Sequence, residues 1–216
     1  MFVEQLAVDP QLYFSVVVTV IVSIVLHELA HGWVALWLGD ETPRLLGHLT
    51  ANPLVHMPPI SIGAVLLVGL GWGSMPVRPD RLRGEFGHAI VAFAGPAMNL
   101  VLAAIGLVAA GLIWRTGSEA TLAVNGRDFL WVFGSYNVLL AVFNLIPVPP
   151  LDGSRILADF FDGYAKLLNN PSTAGFQIVA FALVFMFSGP FIEKLRYIVL
   201  PVVSAVAGTP LELGER

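Results

Sequence analysis

The stretch LYFSVVVTVIVSIVLHELAHGWVALWL, residues 12–38, reads as one long helix. It is apolar apart from a few serines and threonines and one polar cluster, His27, Glu28 and His31. It is longer than the roughly 20 residues that carry a helix across a bilayer, and Gly39 closes it as a C-terminal glycine should. Residues four apart share a helical face, so both imidazoles of His27-Glu28-Leu29-Ala30-His31 can reach one ion. Glu28, beside the first of them, can take a proton from an attacking water. A polar cluster that only pairs helices is the plainer reading, but ionisable groups in an apolar helix are costly and usually functional.

Composition agrees with a membrane setting. Of the 216 residues, 56% are hydrophobic and 12% charged, whereas a soluble domain carries about 25% charged residues. The formal net charge is -4, with no clustered basic face, which argues against nucleic acid as a partner. There is no cysteine, so disulfides and thiolate metal sites are excluded. The first basic residue is Arg44, so the positive start of a cleavable signal is missing and the first helix is expected to be retained.

Beyond residue 38, the segment 42–59 is rich in Pro, Gly and Asn and holds Asn52, Pro53 and His56. Residues 60–73 are apolar but few, with glycines at 63, 69, 71 and 73. They read as a re-entrant segment, or as strands shielded from lipid. Further spans are expected at 88–114, interrupted by Ala94-Gly95-Pro96 and Asn99, and at about 128–146, ending in a turn with Pro147, Pro149 and Pro150. A fourth runs over 174–200, broken near Ser188-Gly189-Pro190. Residues 115–127 read as a polar loop, and 159–173 as amphipathic or loop-like. The expected fold class is therefore an all-α polytopic membrane protein. It has about four clear transmembrane helices and a short re-entrant or strand-like segment between the first and second. The chain reads as a single domain, 1–216, with its core at 12–156.

Basic residues set the orientation. If residues 60–73 do not cross, Arg44, Arg78, Arg81, Arg83, Arg155 and Lys166 share one side, which is then the inside. The N-terminus lies outside. The first helix runs inward, so His27 and His31 fall in its inner half. The third span also runs inward and delivers Asp152, in Pro149-Pro150-Leu151-Asp152-Gly153, to the same side. A catalytic zinc needs a third protein ligand and one open position, and Asp152 is the best candidate. A turn aspartate before glycine is the alternative for that residue.

At these residues the chain resembles the site-2 protease family of intramembrane metalloproteases. The family pattern is an HExxH helix followed by Asn-x-x-Pro-x-x-x-Leu-Asp-Gly. Both halves are present, as His27-Glu28-Leu29-Ala30-His31 and as Asn144-Leu145-Ile146-Pro147-Val148-Pro149-Pro150-Leu151-Asp152-Gly153. Asn52-Pro53-Leu54 with His56, and Ala94-Gly95-Pro96 with Asn99, look like further landmarks, so the resemblance covers about residues 12–156. It implies one Zn2+ per chain held by His27, His31 and Asp152, with Glu28 as the base. It also implies cleavage of transmembrane protein or peptide substrates within or near their own spans. Asn144 matches a position that binds substrate or steadies the reacting carbonyl, for which an amide donor is suited; capping the helix end is its alternative role.

His56, Asn52 and Asn99 are candidates for substrate contact or for supporting the ligands, while His48 and His88 read as interfacial. The resemblance further implies an integral membrane protein of a prokaryotic cell membrane, its site opening toward the cytoplasm. The chain departs from many relatives in having no length left for a PDZ or nucleotide-sensing domain, and in Ser154 where a second glycine is common. Two other classes compete. A catalytically silent membrane metal-binding protein of the same fold would have no use for Glu28. A metal transporter usually shows paired repeats, and none is visible.

Overall fold

The computed structural model describes residues 2–186 and 189–208. Its principal helices are α1 (Pro10–Trp37), α2 (Pro59–Val68), α3 (Gly87–Arg115), α4 (Thr121–Asn144), α5 (Asp152–Phe160), α6 (Asp162–Leu168), α7 (Ala174–Met186) and α8 (Gly189–Ala207). No strand occurs among the described residues. Two helices, α1 and α3, are long and apolar enough to cross a membrane. The Asp9 carboxylate starts α1 by accepting the Leu12 N–H at 3.0 Å, ahead of Pro10 in the first turn, as N-terminal caps do.

These two helices bury most of their polar residues while leaving part of their apolar surface exposed. Thr19, Ser23, His27, Glu28 and His31 of α1 and Asn99 of α3 are buried. Phe14, Val18 and Val22 on α1, and Phe93, Leu100, Val101, Ile105 and Val108 on α3, are exposed. A helix on a water-soluble core has the opposite pattern.

The helices α1 and α3 pack antiparallel, with His27 beside Asn99 and His31 beside Val91. Helix α4 then runs back along α3, with Gly134 against Gly106 and Trp131 edge-on to Trp114. That makes α4 parallel to α1, so the residues following α4 arrive at the same end of the molecule as the C-terminal half of α1. Helix α5 is tied there by Asp159, whose carboxylate accepts the Ala89 N–H in the first turn of α3 at 2.5 Å. A carboxylate at a helix N-terminus is favoured by the unpaired amides there. Val199 and Val203 of α8 pack on Leu107 of α3 and cover the opposite end.

The segment between α1 and α3 leaves and returns at one side chain. The carboxylate of Asp40, fully buried, accepts the Thr42 N–H and hydroxyl at 2.9 and 2.5 Å and the Arg78 N–H at 2.7 Å. Between these anchors α2 descends along α1, where Val65 and Met57 pack with Tyr13, Val16 and Ile24. The Tyr13 hydroxyl donates to the Leu66 carbonyl at 3.0 Å. Residues 70–77 then climb back in irregular, largely extended form. They are held by Ser61, which bonds both backbone groups of Trp72, and by the Ser74 N–H donating to the His56 carbonyl.

The strand alternative for residues 60–73 therefore does not hold. Pro59 opens a helix, Gly69 in the left-handed conformation (φ 74°) ends it, and the returning stretch has no neighbouring strand to pair with among the described residues. One further expectation is corrected. The 115–127 segment is not all loop, because α4 begins at Thr121, and the Arg127 guanidinium lies 4.4 Å over the Trp114 ring. Much of 159–173, expected to be amphipathic or loop-like, is helical, as the end of α5 and as α6. The expected fourth span is two helices, α7 and α8; Ser188, where its break was placed, lies outside the described residues.

Replacing Asp40 by Ala removes three charge-assisted bonds and is expected to destabilise the fold by about 2 kcal/mol, measured by thermal or denaturant unfolding in detergent. Burial raises the pKa of this carboxyl, but the Arg78 and Thr42 donors outweigh it, and the net effect is a native pKa below 3.8. Its contribution is thus full above about pH 4 and fades as pH falls through the lower native value. The variant should accordingly lose less stability on acidification than the wild type does.

Candidate metal centre

Three side chains from two elements converge at the C-terminal half of α1. His27 and His31 are one turn apart on α1, and Asp152 is the first residue of α5. Their Nε2, Nε2 and Oδ2 atoms form a triangle with edges of 3.0 Å (His27–His31), 3.1 Å (His27–Asp152) and 3.3 Å (His31–Asp152). All three residues are buried.

The hydrogen bonds behind this triangle decide what it is. His31 Nδ1 lies 2.7 Å from the Val91 carbonyl oxygen, which can only accept, so that nitrogen carries the proton. His27 Nδ1 lies 2.6 Å from Asn99 Oδ1, again an acceptor. A neutral imidazole protonated at Nδ1 presents a lone pair at Nε2. Three lone pairs, two from nitrogen and one from carboxylate oxygen, therefore meet within about 3 Å. Asp152 Oδ2 is correspondingly a buried oxygen that receives no hydrogen bond. Such an arrangement is repulsive unless a cation is shared. Tetrahedral zinc with bonds of roughly 2.0–2.1 Å has ligand atoms about 3.3 Å apart, so the donor set and its spacing fit that ion. His27, His31 and Asp152 form the only cluster of this kind among the described residues.

The triangle requires glycine at two places. A Cβ on Gly95 of α3 would strike His31 Nε2 and the Nε2 and Cε1 of His27, so α3 can pass this close only without a side chain. A Cβ on Gly153 would collide with the backbone carbonyls of Leu145 and Ile146, where the chain doubles back after α4 to deliver Asp152. Replacing Gly95 by Ala is expected to lower zinc affinity at least tenfold, a disruption of the kind that displaced supporting groups produce. Gly63→Ala, at a position where a Cβ meets nothing within 4 Å, should leave zinc content unchanged in the same metal analysis.

The centre opens into a cavity of about 1030 Å³ lined by His27, Glu28, His31, Asn99, Asn144 and Asp152 among others. The extended stretch 69–77 forms one wall, with Gly73 against Glu28 and Met75 against Gly32. The remaining walls are mainly apolar, including Ile24, Leu140 and Phe143.

Residues 110–187 match the model of peptidase family M50. The "Putative zinc metalloprotease YwhC" of Bacillus subtilis is 37% identical over 176 residues, 79% of each chain. The chain belongs to the site-2 protease family, peptidase family M50. The "Putative zinc metalloprotease Rip2" of Mycolicibacterium smegmatis is 33% identical over 82% of this chain and 71% of its own. "Zinc metalloprotease MJ0392" of Methanocaldococcus jannaschii is 27% identical over 76% of this chain and 40% of its own. No solved structure matches. Family and relatives' names together support a metalloprotease, with zinc as the metal they imply.

Within this site-2 protease, not every sequence candidate reaches the cavity. Asn52 is exposed, and its amide oxygen accepts the Leu54 N–H at the start of the turn Pro53–His56. His56 is buried, with Nε2 2.7 Å from the Thr50 carbonyl, and its own carbonyl holds Ser74. Both residues shape the loop that supports the wall and neither lines the cavity. Asn144 does line it, while its amide also donates to the Leu140 carbonyl at 3.0 Å. Asn137 and Ser23 escaped the sequence reading. Ser23 lies four residues before His27 on the same helical face, and Asn137 is a lone amide in an apolar run, which is the signal that could have found it.

Proposed function

We propose that this protein is an intramembrane zinc metalloprotease that hydrolyses peptide bonds within or near the transmembrane segments of membrane-protein substrates. The observation that carries the reading is the triangle of three buried lone pairs, facing the same cavity as Glu28. His27, His31 and Asp152 hold one Zn2+. When bound, the ion supplies a Lewis acid that polarises the scissile carbonyl and lowers the pKa of a water toward about 7. The Glu28 carboxylate takes the proton of the attacking water and passes it to the leaving amine nitrogen. Asn144 turns its remaining amide hydrogen toward the carbonyl oxygen as negative charge develops there. The substrate helix unwinds locally, since a helical amide is hydrogen-bonded and shielded from attack. The apolar walls hold its flanking side chains.

In this reading the molecule spans the bilayer four times, through α1, α3, α4 and the α7–α8 region. The segment 41–77 is re-entrant, in keeping with its two ends meeting at one carboxylate. The N-terminus is outside and the cavity opens toward the cytoplasm, as the basic residues at 44, 78, 81 and 83 indicate. Exposed apolar faces on α1 and α3 support contact with lipid. A silent metal-binding protein would leave the Glu28 carboxylate buried without use.

The test is cleavage of single-span substrates reconstituted with the protein in liposomes, with products mapped by mass spectrometry. The reading expects scission inside or within a few residues of the span. Cleavage confined to water-soluble unfolded chains would contradict it.

A further inference from the structure

Behind His27 runs a chain of side-chain amides that has a direction. Asn137 of α4 donates one Nδ2 hydrogen to the Phe133 carbonyl at 2.8 Å and the other to Ser23 Oγ at 2.9 Å. A carbonyl can only accept, so the amide of Asn137 is fixed in orientation and its Oδ1 points the other way. That oxygen accepts from Asn99 Nδ2 at 2.8 Å, which fixes Asn99 in turn and aims its Oδ1 at His27 Nδ1, 2.6 Å away. Ser23, Asn99 and Asn137 are all fully buried. His31 needs no such device, because the Val91 backbone carbonyl cannot turn over.

We infer that Asn137 and Asn99 are positioning residues that set the tautomer of His27, making its Nε2 a lone-pair donor toward the metal. The inference rests on the reading that His27 is a metal ligand. An amide is nearly symmetric in shape, and a free Asn99 can turn over at small steric cost. It would then present an N–H to His27, which would have to place its own proton on Nε2, where it cannot bind a cation. The anchor against that turn is Asn137, on a third helix and with no contact to the metal triangle. Metal affinity is thereby coupled to the packing of α4 on α1 and α3.

The test is the zinc dissociation constant of the purified full-length protein, measured by competition with a chromogenic chelator. The tautomer of the metal-free protein is read from imidazole 15N shifts. Asn137→Leu is expected to bind zinc about 10–100-fold more weakly, the range typical of lost supporting bonds to a ligand, with His27 shifted toward the Nε2-protonated form. Asn99→Leu should do the same. A carboxylate at position 99 accepts from His27 whichever way it faces, but in the presence of Asn137 it would meet the fixed Asn137 Oδ1, a second acceptor. In the Asn137→Leu protein that opposing oxygen is gone, so adding Asn99→Asp there should restore zinc binding to within a few-fold of wild type.

A purely structural role for Asn137 predicts no such rescue, and its absence overturns the inference. So does unchanged zinc affinity in Asn137→Leu or Asn99→Leu. Should Asn137→Leu fail to fold, Asn99→Leu decides alone through its zinc affinity and the His27 tautomer, and wild-type values for both contradict the proposal. Failure of the wild type or a His27→Ala control to show His27-dependent zinc binding would instead sink the underlying metal assignment.

Discussion

Replacing Glu28 by Gln is expected to abolish proteolysis while leaving about one zinc bound per chain. Glutamine keeps the size and most of the packing of Glu28, which is buried on α1 between the two histidines and lines the cavity. It cannot take up a proton at an acid–base oxygen. General acid–base catalysis contributes roughly 10²–10⁴-fold, and here one carboxylate both removes the proton of the water and delivers it to the amine. The loss should therefore reach the upper part of that range. The check is a cleavage assay on a reconstituted single-span substrate, with bound metal quantified in the same preparations. Loss of metal together with activity would mean that Glu28 holds the site together instead of acting in the reaction. Retained activity would remove it from the mechanism.

Asp152→Ala is expected to weaken zinc binding by about a hundredfold or more and to remove activity with it. Groups that only support a ligand cost about 10–100-fold when lost, and a ligand itself should cost at least the upper end. The fold should survive, because Asp152 Oδ2 makes no hydrogen bond that packing depends on. Helix α5 also keeps its tie to α3 through Asp159. Metal analysis and a competition titration measure the effect. If zinc binding were unchanged, the third ligand would have to come from elsewhere, although no other such cluster exists among the described residues.

The residues that could be read from the sequence are those whose meaning is local. His27 and His31 lie one turn apart, so helical spacing alone placed them on one face. The apolar run around them decided the length and setting of α1. Asp152 could be reached because it follows the end of a span whose direction is set by counting crossings. The residues that could not be read act across distance. Asp40 closes a loop of nearly forty residues by accepting from Thr42 and Arg78, and nothing in the loop's composition announces that its ends meet. Asn99 could be flagged as a polar residue in a span, but its role depends on Asn137, 38 positions away, and on which way two amides face. Asn52 and His56 carry polar groups in a Pro-rich turn, and only the folded loop shows those groups spent on Leu54 and Thr50. The polar residues of 115–127 read as a loop in sequence, whereas α4 already begins at Thr121 and Arg127 is held against Trp114.

The most direct test of the account is reversible metal dependence of cleavage by the reconstituted protein. Zinc is stripped with a chelator, its removal is verified by elemental analysis, and it is then returned in single equivalents. The account predicts that cleavage of a single-span substrate falls to background without metal and returns when about one zinc per chain is restored. Cleavage that continues in verified metal-free protein would contradict the assignment of His27, His31 and Asp152 as the centre of a zinc protease.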